Sequence, residues 1–259
     1  PGRRYPAIVS PELRAHSLDA AAQAVRLERR RLVDERRAFE EFTKRVRGFD
    51  AERPRPTGGQ TLVCRQSGGL VAVRDAYEET VMSVPHYREE YGEPYAVNVA
   101  GELSEELAAA LGSDGQFHPR LKRKLLEATG QAITGRKRLL GVVDAEAAAL
   151  ESTGDAIAAL TEDVTSLGDQ PLAALEFNAL RLTRERLQEA RDRCDDLAAD
   201  RQSTLQDQRR TLPVGIDDLG EYLYADCETT YPLLAAFADL HRRIDRLLRE
   251  IDRRLARAG

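Results

Sequence analysis

The sequence predicts an all-α protein, an elongated antiparallel helical bundle with coiled-coil-like helices. Three observations predict it. Apolar residues recur at three-and-four spacing over tracts far longer than a strand. Ala (36 residues) and Leu (33) dominate the apolar content, aromatics are only 5%, and Trp is absent, a composition suited to long thin helices and not to a thick globule or sheet. Pro and Gly gather between the periodic tracts, where they break helices.

The first helix is predicted from about Ser17 to Arg47. Leu18, Val25, Leu32, Phe39 and Val46 recur every seven residues. Ala21 and Phe42 fill the companion position, which Glu28 and Glu35 leave polar. Such a half-filled second stripe marks a long helix lying against partners. Ser10-Pro11 offers a turn with Pro at a first helical position. Two prolines and four glycines between Asp50 and Gly69 predict a flexible linker, with a short strand at Thr61 to Arg65. The domain expectation is therefore an N-terminal long helix over 1–49, a linker over 50–69 and a helical bundle over 70–259, with the first helix packed on the bundle.

Helical spacing resumes over Leu70 to Met82 (Val73, Tyr77, Val81) and stops at Pro85. Val84 to Gly101, with Gly92 and Pro94, reads as an ordered loop containing an extended piece at Tyr95 to Val99. Glu102 to Leu111 reads as a short helix. His118 to Leu167 is the longest helical tract, with a stripe through Leu121, Leu125, Leu139, Val143, Leu150, Ile157, Leu160 and Val164. Gly130, Gly135, Gly141 and Gly154 each weaken it by up to ~1 kcal/mol relative to Ala, so packing must hold it or it kinks. Gly168 is a candidate C-cap. Asp169 and Pro171 offer a cap and first turn for the next helix, which carries Leu172, Leu175, Leu187, Ala190, Cys194, Leu197 and Leu205 to about Arg210. A turn this short requires the two helices to pack antiparallel. Asp217 to Ala225 is a short helix or turn. The last helix runs from Tyr231 to about Arg257, capped by Thr230 or Asp226, with Phe237, Leu240, Ile244, Leu247 and Ile251 in heptad spacing.

Charge is segregated. Lys and Arg total 39 against 44 Asp and Glu, a net of -5. From Leu139 to Leu180 there are eight acids and no Lys or Arg, whereas Arg242 to Arg257 holds seven Arg against three acids. Intramolecular pairing and solvated faces explain this better than a nucleic-acid surface, since nucleic-acid modules usually have a basic balance. The strongest cationic cluster opens the longest helix: Arg120, Lys122, Arg123, Lys124, Arg136, Lys137 and Arg138 are the candidate nucleic-acid contacts. A solvated face is the preferred account of them.

The chemical motifs are few. His86 with Glu90, and His241 with Asp245, have i,i+4 spacing, but a metal site needs three or four convergent ligands, so no metal or other cofactor is expected. No nucleophile elbow, HExxH, phosphate-binding loop or dinucleotide fingerprint occurs in the sequence, and no catalytic residue is assigned. Tyr77, Tyr87, Tyr91 and Tyr95, then Tyr222, Tyr224 and Tyr231, read as rings buried at helix ends with satisfied hydroxyls. Cys64, Cys194 and Cys227, odd in number and widely spaced, read as reduced thiols, Cys194 as a core residue. The longest uncharged stretch, Thr229 to Ala238, is too short to span a bilayer. No signal-peptide pattern opens the chain. A cytoplasmic protein is expected, without membrane insertion.

Six short motifs occur in order: Glu35-Arg-Arg-Ala-Phe39 with Phe42, Arg74-Asp-Ala-Tyr-Glu-Glu-Thr-Val81, Phe117-His-Pro119 with Leu121-Lys122, Pro171-Leu172 with Leu175 and Phe177, Arg193-Cys-Asp-Asp-Leu197, and Tyr222-Leu-Tyr224 leading to Tyr231-Pro232-Leu233. Together they resemble an uncharacterised haloarchaeal helical family classed as a domain of unknown function, over about Ser17 to Leu255. The resemblance implies an archaeal, salt-loving source and an all-helical fold, and brings no activity, cofactor or site residue. The chain is less acidic than that family suggests. With heptad stripes in surplus and no chemical constellation, the expected function is non-catalytic interaction or scaffolding. The partner would be an unknown protein or a second copy, the homodimer forming through the terminal helices. A nucleic-acid-associated regulator is the first alternative and an unrecognised enzyme the second.

Overall fold

The computed structural model describes residues 11–51, 68–210, 212 and 215–258, with the backbone alone for 11–16, 68 and 258. Most of the expected linker (52–67), the short strand at Thr61 to Arg65, Cys64 and the start of the chain lie outside the described residues. Within them the fold is all-α, with nine α-helices, one 3-10 turn and no strand. Four helices are long: α1 (Pro11–Gly48), α6 (Pro119–Gly168), α7 (Phe177–Arg209) and α9 (Pro232–Ala258). Five are short: α2 (Gly68–Glu78), α3 (Tyr87–Glu90), α4 (Tyr95–Glu102), α5 (Glu105–Gly112) and α8 (Leu219–Tyr224); the 3-10 turn is Val81–Ser83. Among the described residues no helix is long and apolar enough to cross a membrane.

The chain divides into two compact units, Pro1–Glu28 with Val142–Gly259, and Arg29–Gly141. The division falls inside α1 and inside α6, not at a loop.

The 29–141 unit has an aromatic core. Phe39, Phe42 and Val46 of α1 bury against Val73 and Tyr77 of α2, Val99 of α4, Leu111 of α5, Phe117, and Leu125 of α6. The Tyr77 ring stands edge-on to Phe42 at 5.1 Å and to Tyr95 at 5.6 Å, the favoured arrangement of aromatic quadrupoles. The segments of α1 and α6 in this unit run antiparallel: Lys122 Nζ donates to the Arg47 and Phe49 carbonyls at 2.8 and 2.6 Å, while Arg136 reaches back to Glu35. Lys122 thus satisfies carbonyls left open where α1 ends, with the charge the helix dipole prefers there.

The other unit has an aliphatic core. Val143, Leu150, Ile157, Leu160 and Val164 of α6 bury together with Leu180, Leu187 and Cys194 of α7 and Phe237, Leu240, Ile244 and Ile251 of α9. The pairs Arg184–Asp252 (2.6 Å), Cys194–Phe237 (3.6 Å) and Asp195–His241 (2.9 Å) place α7 and α9 antiparallel.

The structure corrects several sequence expectations. Tyr95 to Val99 is helical, not extended: Pro94, at φ -64°, serves as N-cap of α4 and sets its entry, overriding the β-branched Val97 and Val99. The surrounding loop also contains α3. Helix α7 starts at Phe177 with Glu176 as N-cap, because 171–174 forms a turn closed by Ala174 N–H donating to the Pro171 carbonyl at 2.8 Å. Gly168 ends α6 without a positive φ. Its small size instead admits Leu247, whose Cδ1 would stand 3.2 Å from an added Cβ. Neither Thr230 nor Asp226 opens α9; Thr229 Oγ1 accepts from Tyr231 N–H at 3.3 Å and Pro232 takes the first helical position. Helix α6 runs unbroken through Gly130, Gly135, Gly141 and Gly154. An added Cβ at each would meet nothing within 4 Å, while the stripe through Leu125, Leu139, Val143, Leu150 and Ile157 is buried.

Candidate functional site

Each unit holds a buried charge cluster among its described residues. In the 29–141 unit the centre is Glu35, a residue the heptad pattern placed at a core position. Its Oε1 accepts from Tyr91 Oη at 2.9 Å and lies 3.0 Å from His86 Nε2; its Oε2 accepts from Arg136 Nε at 2.9 Å. A carboxylate only accepts, so the His86 contact requires the proton on Nε2. Arg136 Nη2 donates to Glu102 Oε2 at 2.8 Å, and its guanidinium carbon sits 4.5 Å from the Phe39 ring centroid. Burial pushes the Glu102 carboxyl above the usual range, and the neighbouring Arg136 restrains that shift. Burial opposes the charge on Arg136, but Glu102 and then Glu35 outweigh it and the net shift is upward. The Tyr91 hydroxyl is pushed up by burial and then by Glu35, so it stays a donor.

In the other unit the centre is Glu146, whose side chain is 1% exposed. Arg201 Nη2 donates to both its oxygens, at 2.6 and 2.8 Å, and Tyr224 Oη donates to Oε1 at 2.7 Å. Burial, then Glu146, pushes the Tyr224 hydroxyl well above its usual range. Arg201 Nε and Nη1 are buried without a hydrogen-bond partner. Glu28, the other polar residue of the α1 stripe, accepts from the Tyr222 hydroxyl.

These charges follow a rule that was present in the sequence. Arg136 and Glu146 fall on the three-four alternation of α6 (Thr129, Ala132, Arg136, Leu139, Val143, Glu146, Leu150), and Arg201 falls on that of α7 (Leu187, Ala190, Cys194, Leu197, Arg201). A charged residue in register with an apolar stripe is a core residue with a partner. Reading the stripe by apolar residues alone passes over it.

The candidate nucleic-acid residues are dispersed in role. Arg136 is spent on Glu35 and Glu102, Lys122 on the end of α1, Lys124 on Glu106 at 2.6 Å, and Lys137 lies 3.8 Å from Glu40. Arg120, Arg123 and Arg138 are exposed. Of the seven described tyrosines, Tyr77, Tyr87 and Tyr224 are buried, Tyr95 and Tyr231 half-buried, and Tyr91 and Tyr222 exposed. Their hydroxyls are bonded, Tyr77 to Asn98 at 2.7 Å, Tyr87 to the Glu93 carbonyl at 3.0 Å, Tyr231 to Asp218 at 2.8 Å. Tyr95 is the exception, with a buried hydroxyl lacking a partner. Neither histidine pair closes on a metal-like set: His86 turns to Glu35, and His241 lies between Asp195 and Asp245, at 2.9 and 3.5 Å. Among the described residues no group of three or more His, Cys, Asp or Glu is placed to hold a metal ion. Cys194 and Cys227 are free thiols, and burial pushes Cys194 up to about 11.

One cavity of about 770 Å³ lies in the aliphatic unit. Its floor is a stripe of α6, Gly154, Ile157, Ala158, Thr161 and Thr165, with Leu18 of α1 and Ala236 of α9 as walls. Glu162, Ser166, Asp169 and Gln170 line the half toward the end of α6.

Chemically, the two charge clusters pin segments together: both carboxylate oxygens of Glu35 and of Glu146 are engaged by side chains of other segments, with little solvent access. The 770 Å³ cavity, by contrast, is open to a visitor. No curated protein and no solved structure matches the chain. A family model described as a domain of unknown function (DUF7260) matches residues 16–248, so the chain belongs to that family.

Proposed function

We propose that this protein is a non-catalytic helical interaction or scaffolding protein. One observation carries the reading. The groups that an enzyme would use as acid, base or electrophile, namely Glu35, Glu102, Arg136, Glu146, Arg201 and Tyr224, are bonded to one another across helices and buried. Charged residues set into an apolar seam fix which helices pair and in what register. That is the property a scaffold needs. The Arg-rich composition fits a haloarchaeal source, although the net charge of -5 is mild for one, and the three-four apolar spacing of the long helices supports coiled-coil-like packing.

The partner is a second copy or another protein. The apolar stripes of α1 and α9 are largely buried within the chain (Val25, Leu32, Phe39 and Val46; Phe237, Leu240, Ile244 and Ile251), so a homodimer would use surfaces other than those two stripes. Light scattering across concentrations tests self-association. The expected result is a species heavier than 28.8 kDa that dissociates on dilution. A 28.8 kDa monomer throughout removes self-association. A salt-sensitive shift of DNA at low salt transfers the reading to the nucleic-acid alternative.

A further inference from the structure

The geometry points to a binding slot in the aliphatic unit for a single-chain amphiphile, an unbranched apolar tail ending in a cationic head group. The inference does not depend on self-association. The slot is sized for a small ligand: 770 Å³ falls within the range of about 300–1,000 Å³ typical of small-molecule pockets. Its shape is set by α6. Gly154 to Asp169 lie along one face of that helix, at spacings of three and four, and span about 22 Å at ~1.5 Å per residue. A volume of 770 Å³ spread over that length leaves a mean cross-section of about 35 Å². An extended tail fits whole.

Polarity along the slot orients the ligand. Leu18, Ile157, Ala158 and Ala236 make one part apolar. The other half carries the carboxylates of Glu162, near the middle, and Asp169, at the end, with no Lys, Arg or His among the described lining residues. It also lies where α6 terminates, and the last carbonyls of a helix carry partial negative charge. Carboxylates and carbonyls together favour an ammonium or guanidinium head and oppose a carboxylate or phosphate. The floor is built of small side chains, which keeps the slot open along its length.

Isothermal titration of the full chain with dodecylammonium, and separately with laurate, both below micelle formation, tests the proposal. The expected result is saturable one-to-one binding of dodecylammonium and roughly tenfold weaker binding of laurate, the size of a modest charge interaction. Glu162→Gln with Asp169→Asn should bring the two affinities together. Ala158→Phe should abolish both, with helicity by circular dichroism unchanged. Gly154→Leu is a second block, at a site where an added Cβ meets nothing within 4 Å. Absence of saturable dodecylammonium binding, laurate binding as tight, or binding that survives both blocking substitutions in folded protein would overturn the proposal.

Discussion

Glu146 keeps almost no contact with water, and Arg201 and Tyr224 replace its hydration shell. The three form a closed set in which the carboxylate is answered and the guanidinium is answered only in part, since Nε and Nη1 remain without partners. The consequence is asymmetric. Removing one charge strands the other, so Glu146→Ala or Arg201→Ala should each cost about 3–5 kcal/mol. Replacing Glu146 and Arg201 together by Met should be nearly neutral or stabilising, because the cost of burying both charges disappears with them. Urea denaturation of the three variants checks this. A double Met variant as unstable as the single Ala variants would show that the pair contributes net stability beyond compensating its own burial. At this scale the sequence withheld little. Glu35, Arg136, Glu146 and Arg201 each sit in register with a stripe, and their partners Tyr91, Glu102 and Tyr224 were visible as residues. The pairing was not visible, because His86, Tyr91 and Glu102 reach the cluster from short helices set by Pro94, Gly92 and the Val81–Ser83 turn, which carry no periodicity long enough to read.

Among the elements, α6 and α8 show how differently glycine can act. Gly130, Gly135 and Gly141 occupy α6 positions where an added methyl meets nothing, so each Gly→Ala should stabilise by about 0.5–1 kcal/mol through lower backbone entropy in the unfolded chain. Gly220 is the opposite case. A Cβ there would stand 2.5 Å from the Thr230 carbonyl oxygen and 3.0 Å from the Tyr231 ring, so Gly220→Ala must displace backbone and should be strongly destabilising. Melting temperatures of the four variants separate the two situations. Helix α8 also carries its own pH sensor. Asp218 is its N-cap, accepting from Gly220 and Glu221 N–H at 2.8 and 3.2 Å. Burial alone would raise its carboxyl, but bonds from Arg209, Tyr231 and those two amides outweigh it and hold the group below the usual 3.8. A depressed native value means stability that is fully present above pH 3.8 and is lost as pH falls through the native value. Asp218→Ala should therefore cost about 1 kcal/mol at neutral pH. That difference from wild type should shrink only at pH values below 3.8. The long helices were legible because three-four spacing over dozens of residues is hard to produce otherwise. The start of α7 was not, because Asp169 and Pro171 carry every local mark of a helix start while the chain spends them on a turn.

Over the whole molecule, the small net charge of -5 is the sum of unlike parts, and so is the low aromatic content. Phe39, Phe42, Tyr77, Tyr87 and Phe117 are buried in the 29–141 unit, while the remaining unit is closed chiefly by Leu, Ile, Val and Ala. Composition averages over the chain and could not reveal this; nor could linear sequence reveal units whose limits fall inside two helices. The division has a thermodynamic consequence. Each unit has its own buried carboxylate, and the partners of Glu35 (His86, Tyr91, Arg136) and of Glu146 (Arg201, Tyr224) have no member in common. Substitutions with no shared partner usually add to within about 0.3–0.5 kcal/mol. Glu35→Ala and Glu146→Ala should therefore be additive in urea, provided unfolding stays cooperative. Hydrogen exchange gives the spatial readout. Glu35→Ala should raise exchange in α3 and the 29–48 part of α1, whose packing the carboxylate joins. Glu146→Ala should raise it in α8 and around Arg201, where its two partners lie. A double variant less unstable than the sum by more than about 1 kcal/mol, well outside ordinary additivity, would mean that the two clusters act on one cooperative contact network.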